Sequence, residues 1–449
     1  MGIAVTEETA FDPAAAASTV TNAILADLGR STHRAVVVDS PPGAGKSTLV
    51  VTAALTLVAA DERCMIIAQT NNQVDDLVTR LAARDESVRV GRLSSADYAA
   101  PDRLRSLDNV TITNKAAELH ECPIVIATAA KWATVEDVRF EWAIVDEAYQ
   151  MRSDMLLLVA PRFARALFVG DPGQLDPFSI VETERWVGLP HDPMQSAVAV
   201  LLNHNEPPVH RLPVSWRLPS SAAPVISHAF YPFTGFRAGT GSGTRRLTFS
   251  TKGFGGAVDD TLDIAAGGGW GLYQLPNRHV PRTDAETAQA TADIAARILA
   301  RGLTSSCENH PDGRAVEPED IAIGVAHRDQ AEQIRAMLRR SSTAGTERIV
   351  VDTANRLQGR EFEITVVLHP LSGRRDATEF HLEAGRLCVL TSRHRQACIV
   401  VARAGIRELL DSHPSTEPVH LDVDAKFPDG WEGNQAVMEH LERFCVVAG

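Results

Sequence analysis

Short, wholly apolar runs recur along the first half of the chain. Between them lie longer stretches in which apolar residues return every three or four positions. The runs are Ala35–Val38, Cys64–Ala68, Ile124–Ala127, Ala143–Val145 and Leu167–Val169. The stretches between include Ser47–Ala60 and Gln73–Ala83, and Ala16–Leu28 precedes them with Val20, Ile24 and Leu28 at helical spacing. Runs too short for helices, bounded by helical periodicity, predict strands buried on both faces. Alternating strands and helices predict an α/β fold with a parallel sheet flanked by helices.

A second series follows the polar, proline-containing stretch Asn203–Pro208, which is expected to be a hinge. Its strands are expected at Ile321–Val325, Ile349–Val351, Ile364–Leu368 and Ala397–Val401, with helices at Thr283–Arg301 and Gln330–Arg340. The economical organisation is two similar α/β domains in tandem, over 16–205 and 206–405. Residues 1–15 are expected to be disordered, the Gly- and Thr-rich stretch 234–269 to be loop-like, and 406–449 to be a C-terminal extension.

The 449 residues are enough for two or three substantial cores. No apolar run is long enough to span a bilayer and no N-terminal signal pattern is present, so no membrane partner is expected. The six cysteines form no CxxC pair, which argues against a zinc module or disulfide framework and predicts a reducing, cytoplasmic setting. A formal charge of −13 excludes a wholly basic coat, though not a local groove for nucleic acid.

The chemistry lies at the ends of the expected strands. Ser40-Pro-Pro-Gly43-Ala44-Gly45-Lys46-Ser47-Thr48 follows the first strand and opens a helix, the setting a phosphate loop requires. Its glycines let backbone N–H groups turn toward phosphate oxygens, Lys46 is placed for the β- and γ-phosphates, and Ser47 for Mg²⁺. Asp146 and Glu147 end a buried strand, the first suited to Mg²⁺ and the second to polarising the attacking water. Gln174, in Gly170-Asp-Pro-Gly-Gln174-Leu-Asp-Pro177, can donate to a γ-phosphate and accept from that water.

Together these segments resemble superfamily 1 helicases. Asp146-Glu-Ala-Tyr-Gln150 with Gly-Asp-x-x-Gln-Leu-x-Pro resembles the 1B branch, and further matches run in order to about residue 402. Ala68-Gln-Thr70-Asn71-Asn72-Gln-Val-Asp75 is similar to motif Ia and Ala127-Thr128 to motif Ic. Pro213-Val-Ser-Trp216-Arg217-Leu-Pro219 is similar to the aromatic–arginine segment that opens the second domain. Val351–Glu361, containing Thr353, Gln358 and Gly359, is similar to motif V, and Arg386–Arg395, containing Arg393, to motif VI.

The resemblance implies tandem RecA-like domains with ATP and Mg²⁺ in the cleft between them. It assigns Arg217 and Arg393 to the γ-phosphate, Trp216 to the adenine, and Gln358, Gly359 and Glu361 to the cleft, with Glu361 toward the ribose. Thr70, Asn71, Asn72, Thr128, His327, Arg328 and Thr353 are assigned to the strand-binding face. Single-stranded DNA or RNA is then the expected partner, beside protein partners yet to be identified, and the branch implies 5′-to-3′ movement.

Three departures qualify this. No glutamine precedes Gln69, so the upstream adenine-reading glutamine is missing. His327 stands where relatives often have tyrosine. About forty residues separate the helix after motif Ia from the strand before Thr128, room for a small insertion and not a large accessory barrel. Two rivals follow: a nucleic-acid-stimulated ATPase switch that clamps or remodels without unwinding, and a P-loop kinase or small-molecule ATPase.

Overall fold

Strands β1 (Ala35–Asp39), β2 (Cys64–Ala68), β3 (Val90–Leu93), β4 (Val110–Thr113), β5 (Ile124–Thr128), β6 (Phe140–Asp146), β7 (Phe163–Gly170) and β8 (Val209–Arg211) form one sheet. Its order is β4-β3-β5-β2-β6-β7-β1-β8, and every pairing is parallel. The computed structural model describes residues 11–30, 33–175, 195–280, 283–413 and 429–448, with 177, 186, 189 and 192.

Alternation along the strands builds a core on each side of the sheet. Val36, Val38, Ile66, Ile124, Ile144 and Leu167 pack with helices α1 (Pro13–Gly29), α2 (Lys46–Ala59) and α3 (Asn71–Arg84). Val37, Met65, Ile67, Val125, Ala143 and Phe168 pack on the other side with Trp132 and Val198. Burial on both faces explains why these strands read as unbroken apolar runs.

The chain continues through β9 (Val214–Ser215), β10 (Arg237–Ala238), β11 (Arg246–Phe249), β12 (Trp270–Leu275), β13 (Leu303–Cys307), β14 (His310–Ala315), β15 (Ile321–Val325), β16 (Val350–Thr353), β17 (Phe362–Leu368), β18 (His394–Arg403) and β19 (Cys445–Val447). A second parallel sheet has the order β16-β15-β17-β18-β12-β19. It too carries a core on each face, one around Trp270, Leu272, Val367 and Val400, the other around Ile323, Ile364, Val366 and Val401. Strands β11, β13 and β14 form a small antiparallel sheet beside it.

Several expectations about boundaries are corrected. Helix α1 begins at Pro13, because Asp12 caps it by accepting from the N–H groups of Ala14 and Ala15 (2.9 and 3.1 Å). Residues 1–10 lie outside the described residues. Strand β8 pairs with β1, so the first sheet reaches past residue 206. The stretch 234–269 holds β10, β11 and a helix, Ala257–Gly268, whose C-terminus is closed by Gly269 at φ +77°. Residues after 405 are no appendage: the helix Gly430–Leu441 packs on the second core and β19 pairs with β12. The residues between α3 and β5 extend the first sheet through β3 and β4 rather than forming a separate body.

Candidate active site

The phosphate loop leaves β1 and turns at Gly43 (φ +72°) and Gly45 (φ +91°), so Lys46 becomes the first residue of α2. Both angles lie in the left-handed region that glycine enters without steric cost. At Gly43 there is also no room for a side chain. A Cβ there would fall 2.2 Å from Cβ of Arg217 and 2.9 Å from its backbone nitrogen. The Trp216 N–H donates to the Gly43 carbonyl (2.9 Å) and the Ser215 hydroxyl to that of Pro42 (2.5 Å). Arg217, just past β9, is therefore seated on the phosphate loop itself.

A cavity of about 500 Å³ opens at this point. It is lined by Ser40, Gly43, Ala44, Gly45, Lys46, Ser47, Thr48, Glu147, Asp171 and Gln174 from the first domain, and by Arg217, Gly359, Glu361 and Arg393 from the second. Segments some 350 residues apart, from Ser40 to Arg393, thus meet at one seam. The reason is topological: in the first sheet the site segments follow the C-terminal ends of parallel strands, where open α/β sheets bind ligands, while Glu361 and Arg393 immediately precede β17 and β18 of the second.

The electrostatics are those of a site awaiting an anion and a cation. Lys46 forms an ion pair with Glu147. Burial works against the Lys46 ammonium, but the Glu147 and Asp146 carboxylates outweigh it and hold its pKa above that of an ordinary lysine. Burial pushes Asp146 and Asp171 each up to about 6, against the pull of Lys46. Arg393 is 1% exposed, and burial draws it down to about 10, with the Arg217 guanidinium adding to the effect. Among the described residues no carboxylate forms a salt bridge with Arg393, whose Nη2 donates only to Ser392 Oγ at 2.8 Å.

Several buried polar atoms at the seam have no hydrogen-bond partner among the described residues: Ser40 Oγ, Asp146 Oδ1, Gln174 Oε1 and Arg393 Nε. Such atoms are costly unless something satisfies them. A triphosphate would take the arginine nitrogen, and a hydrated cation the Asp146 oxygen. The donor set therefore fits a magnesium nucleotide, with Ser47 and Asp146 as the residues that could hold the metal.

Other assigned residues are placed differently. Arg217 Nε and Arg395 Nη1 each reach Glu361, at 3.1 Å, so this carboxylate bridges two arginines rather than standing open for a ribose. These cations overcome burial and keep the Glu361 pKa below the usual carboxylate range. Trp216 does not line the large cavity; it borders a neighbouring one of about 180 Å³ with Ala17, Thr21, Ala44, Thr48 and Thr52. Gln358 is outside both, its Nε2 buried without a partner among the described residues.

The residues assigned to nucleic acid gather at two sheet ends. Ala68 is in register with Thr128, which brings motif Ia beside motif Ic. Val325 is in register with Thr353, which brings His327 and exposed Arg328 beside motif V. Not all of these side chains are available. Thr70 caps α3 by accepting from Gln73 N–H (3.3 Å), Asn71 Oδ1 accepts from buried Arg92 (2.9 Å), and Thr353 is buried. Asn72 is exposed. His327 stacks on Phe380 with ring centroids 5.0 Å apart.

Comparison with known proteins bears on the assignment. Two family models, each described as an AAA domain, match residues 24–179 and 277–405. The bovine DNA replication ATP-dependent helicase/nuclease DNA2 is 23% identical over 431 residues, 89% of this chain and 38% of that protein. Its human counterpart is 25% identical over 203 residues, 42% of this chain and 18% of that protein. With the motif order above, these matches support a superfamily 1 helicase of the 1B branch. The chain spans well under half the length of the relatives it matches. A looser likeness, TM-score 0.44 at 13% identity, joins 86% of it to 61% of the arterivirus nonstructural protein 10 (helicase) crystal structure.

The seam holds further residues to which the sequence assigned no role at the nucleotide, among them Tyr231, which follows the aromatic–arginine segment as Phe230-Tyr231. The Tyr231 hydroxyl, from the second domain, donates to Asp171 at 2.6 Å, and Gln174 also donates to that carboxylate. A Cβ at Gly385 would lie 2.5 Å from the Gln174 carbonyl, so the motif VI helix packs directly on the Gln174 turn. Arg80, on α3, lines the cavity mouth. A hydroxyl donated to a buried carboxylate could be anticipated only once the two domains were known to touch here.

Proposed function

We propose that the chain is an NTP-dependent nucleic-acid helicase or translocase that couples ATP hydrolysis, with Mg²⁺, to 5′-to-3′ movement on single-stranded DNA or RNA. The carrying observation is Arg393, buried and in no salt bridge among the described residues, in the same cavity as Lys46 and Glu147. An isolated buried guanidinium is expensive unless an anion meets it. Phosphate would draw Lys46 from Glu147, leaving that carboxylate to orient and deprotonate water. Arg217 would exchange Glu361 for the phosphate, and with Arg393 stabilise charge growing on the transferred group. Loss of that charge after hydrolysis loosens Arg393 and lets the seam open. The polar groups at the two sheet ends then exchange their hold on the strand.

A second reading, a nucleic-acid-stimulated switch, is favoured by one observation. The segment between α3 and β5 only widens the first sheet, which leaves no separate wedge among the described residues. A forked-duplex assay divides the two: turnover with displaced strand supports the helicase, turnover without it the switch. The first experiment is hydrolysis with and without single-stranded DNA and RNA. Stimulation by either supports the proposal, and hydrolysis indifferent to both returns the chain to the small-molecule ATPases.

The cavity beside Trp216 offers the base only apolar contacts and hydroxyls, from Thr21, Thr48 and Thr52, with no side-chain amide or charge. Hydroxyls both donate and accept, so adenine and guanine edges are equally served. GTP is expected to be hydrolysed with kcat/KM within about tenfold of ATP, since strong rejection needs purpose-built hydrogen bonds. Steady-state kinetics on both nucleotides check this; a thousandfold preference for ATP would contradict it.

A further inference from the structure

Arg245 lies outside every motif, just beyond Gly241-Ser-Gly243 in the connection from β10 to β11, yet its side chain is only 3% exposed. A guanidinium presents five N–H donors in a fixed plane, and here all five are used. Nε donates to Glu308 Oε2 (3.2 Å), and Nη2 to Glu308 Oε1 (2.7 Å) and to the Trp216 carbonyl (2.6 Å). Nη1 donates to the carbonyls of Arg217 and Arg395, the latter at 3.1 Å.

The three carbonyls are informative. Trp216 and Arg217 follow β9 directly, in a segment that the phosphate loop holds through Pro42 to Ser215 and Gly43 to Trp216. Arg395 stands two residues beyond Arg393 on the motif VI segment. Arg245 thus sits where the backbones carrying both cavity arginines converge. An ion pair with Glu308 alone would need none of these carbonyl contacts.

We propose that Arg245 is a positioning residue that locks the Trp216–Arg217 backbone to the motif VI segment, so that Arg217 and Arg393 are presented to the transferred phosphoryl group at one fixed separation. The inference rests on the hydrolysis proposed above. Lysine keeps the charge at this position but has three donors and no plane, so it cannot span the carbonyls and Glu308 together.

The test is Arg245→Lys in the full chain, followed by kcat, ADP affinity by fluorescence anisotropy and the thermal unfolding midpoint. We expect kcat to fall about 10- to 100-fold, the scale of an active-site misplacement of about 1 Å. ADP affinity is expected to hold within about twofold, because ground-state binding belongs to the phosphate loop, and the midpoint to stay close to that of wild type. In an Arg217→Ala background the same substitution should cost little more, since residues acting as one unit are not additive. A wild-type kcat, or losses that multiply in the double variant, would overturn the proposal. If Arg245→Lys does not fold, Glu308→Gln serves: a reduced kcat with intact ADP binding supports the inference, and an unchanged kcat overturns it. A wild-type protein without turnover on any nucleic acid would instead remove the hydrolysis reading, and this inference with it.

Discussion

Replacing Arg393 by alanine is expected to slow nucleotide hydrolysis by about 10³- to 10⁵-fold, the range measured for arginine fingers. The expectation follows from where this side chain lies, in the cavity that Lys46 and Glu147 line. It is 1% exposed, faces a second guanidinium and forms no salt bridge among the described residues. An arginine kept for stability would be expected to have a carboxylate. Single-turnover hydrolysis measures the loss. ADP affinity should barely change, because the missing contact is made to the transferred group. Affinity for single-stranded nucleic acid should also hold, since Arg393 lies at the seam and not at the sheet ends. The unfolding midpoint without nucleotide should not drop greatly, because removing a desolvated, unneutralised charge offsets part of the cavity left behind. Near-normal turnover with weakened nucleic-acid binding would remove Arg393 from the chemistry.

Glu147→Gln carries the second large effect: turnover is expected to fall by about 10²- to 10⁴-fold, the usual worth of a positioned general base. Glutamine keeps the shape and one acceptor but cannot take the proton of the attacking water. The backbone at Glu147 lies in the left-handed region at φ +52°, a conformation costly for a residue with a side chain and common where function fixes geometry. Gln150 Nε2 donates to Glu147 Oε2 at 3.1 Å and orients it further. Nucleotide affinity should be retained or increased, because Lys46 no longer has to leave a carboxylate before meeting phosphate. Binding of a fluorescent nucleotide beside single-turnover hydrolysis separates the two effects. A variant that turns over at the wild-type rate would strip Glu147 of the role.

The two predictions draw on the part of the molecule most legible in the sequence. Strand β2, Cys-Met-Ile-Ile-Ala, and the Trp142–Val145 run of β6 are apolar because both faces of the sheet are covered. Short motif segments lie beside such strands in a fixed order, with Lys46, Glu147 and Gln174 after β1, β6 and β7 and Arg393 just before β18, which is why these residues and Arg217 could be named together before their shared cavity was known. Edge and mixed strands were opaque for the opposite reason. Strand β4, Val-Thr-Ile-Thr, is only partly covered, and β8, Val-His-Arg, is too short to show a period. The helix Ala257–Gly268 was hidden by the glycines on either side of it. Trp216 and Glu361 carried motif signals, but which cavity an indole borders and which arginines a carboxylate bridges depend on how the two domains meet. Arg245 gave no signal at all, since beside Glu308 its partners are three backbone carbonyls, which any sequence supplies.

The central claim is that nucleotide is gripped from both domains at once. A crystal structure of the complex with Mg²⁺, ADP and aluminium fluoride tests it most directly. The account predicts that the Arg217 and Arg393 guanidinia both lie within about 3.2 Å of the fluoride group that mimics the transferred phosphoryl, with Lys46 released from Glu147 and Arg217 from Glu361. A complex in which Lys46 holds the nucleotide while Arg393 stays turned from it and Arg217 remains on Glu361 would contradict it.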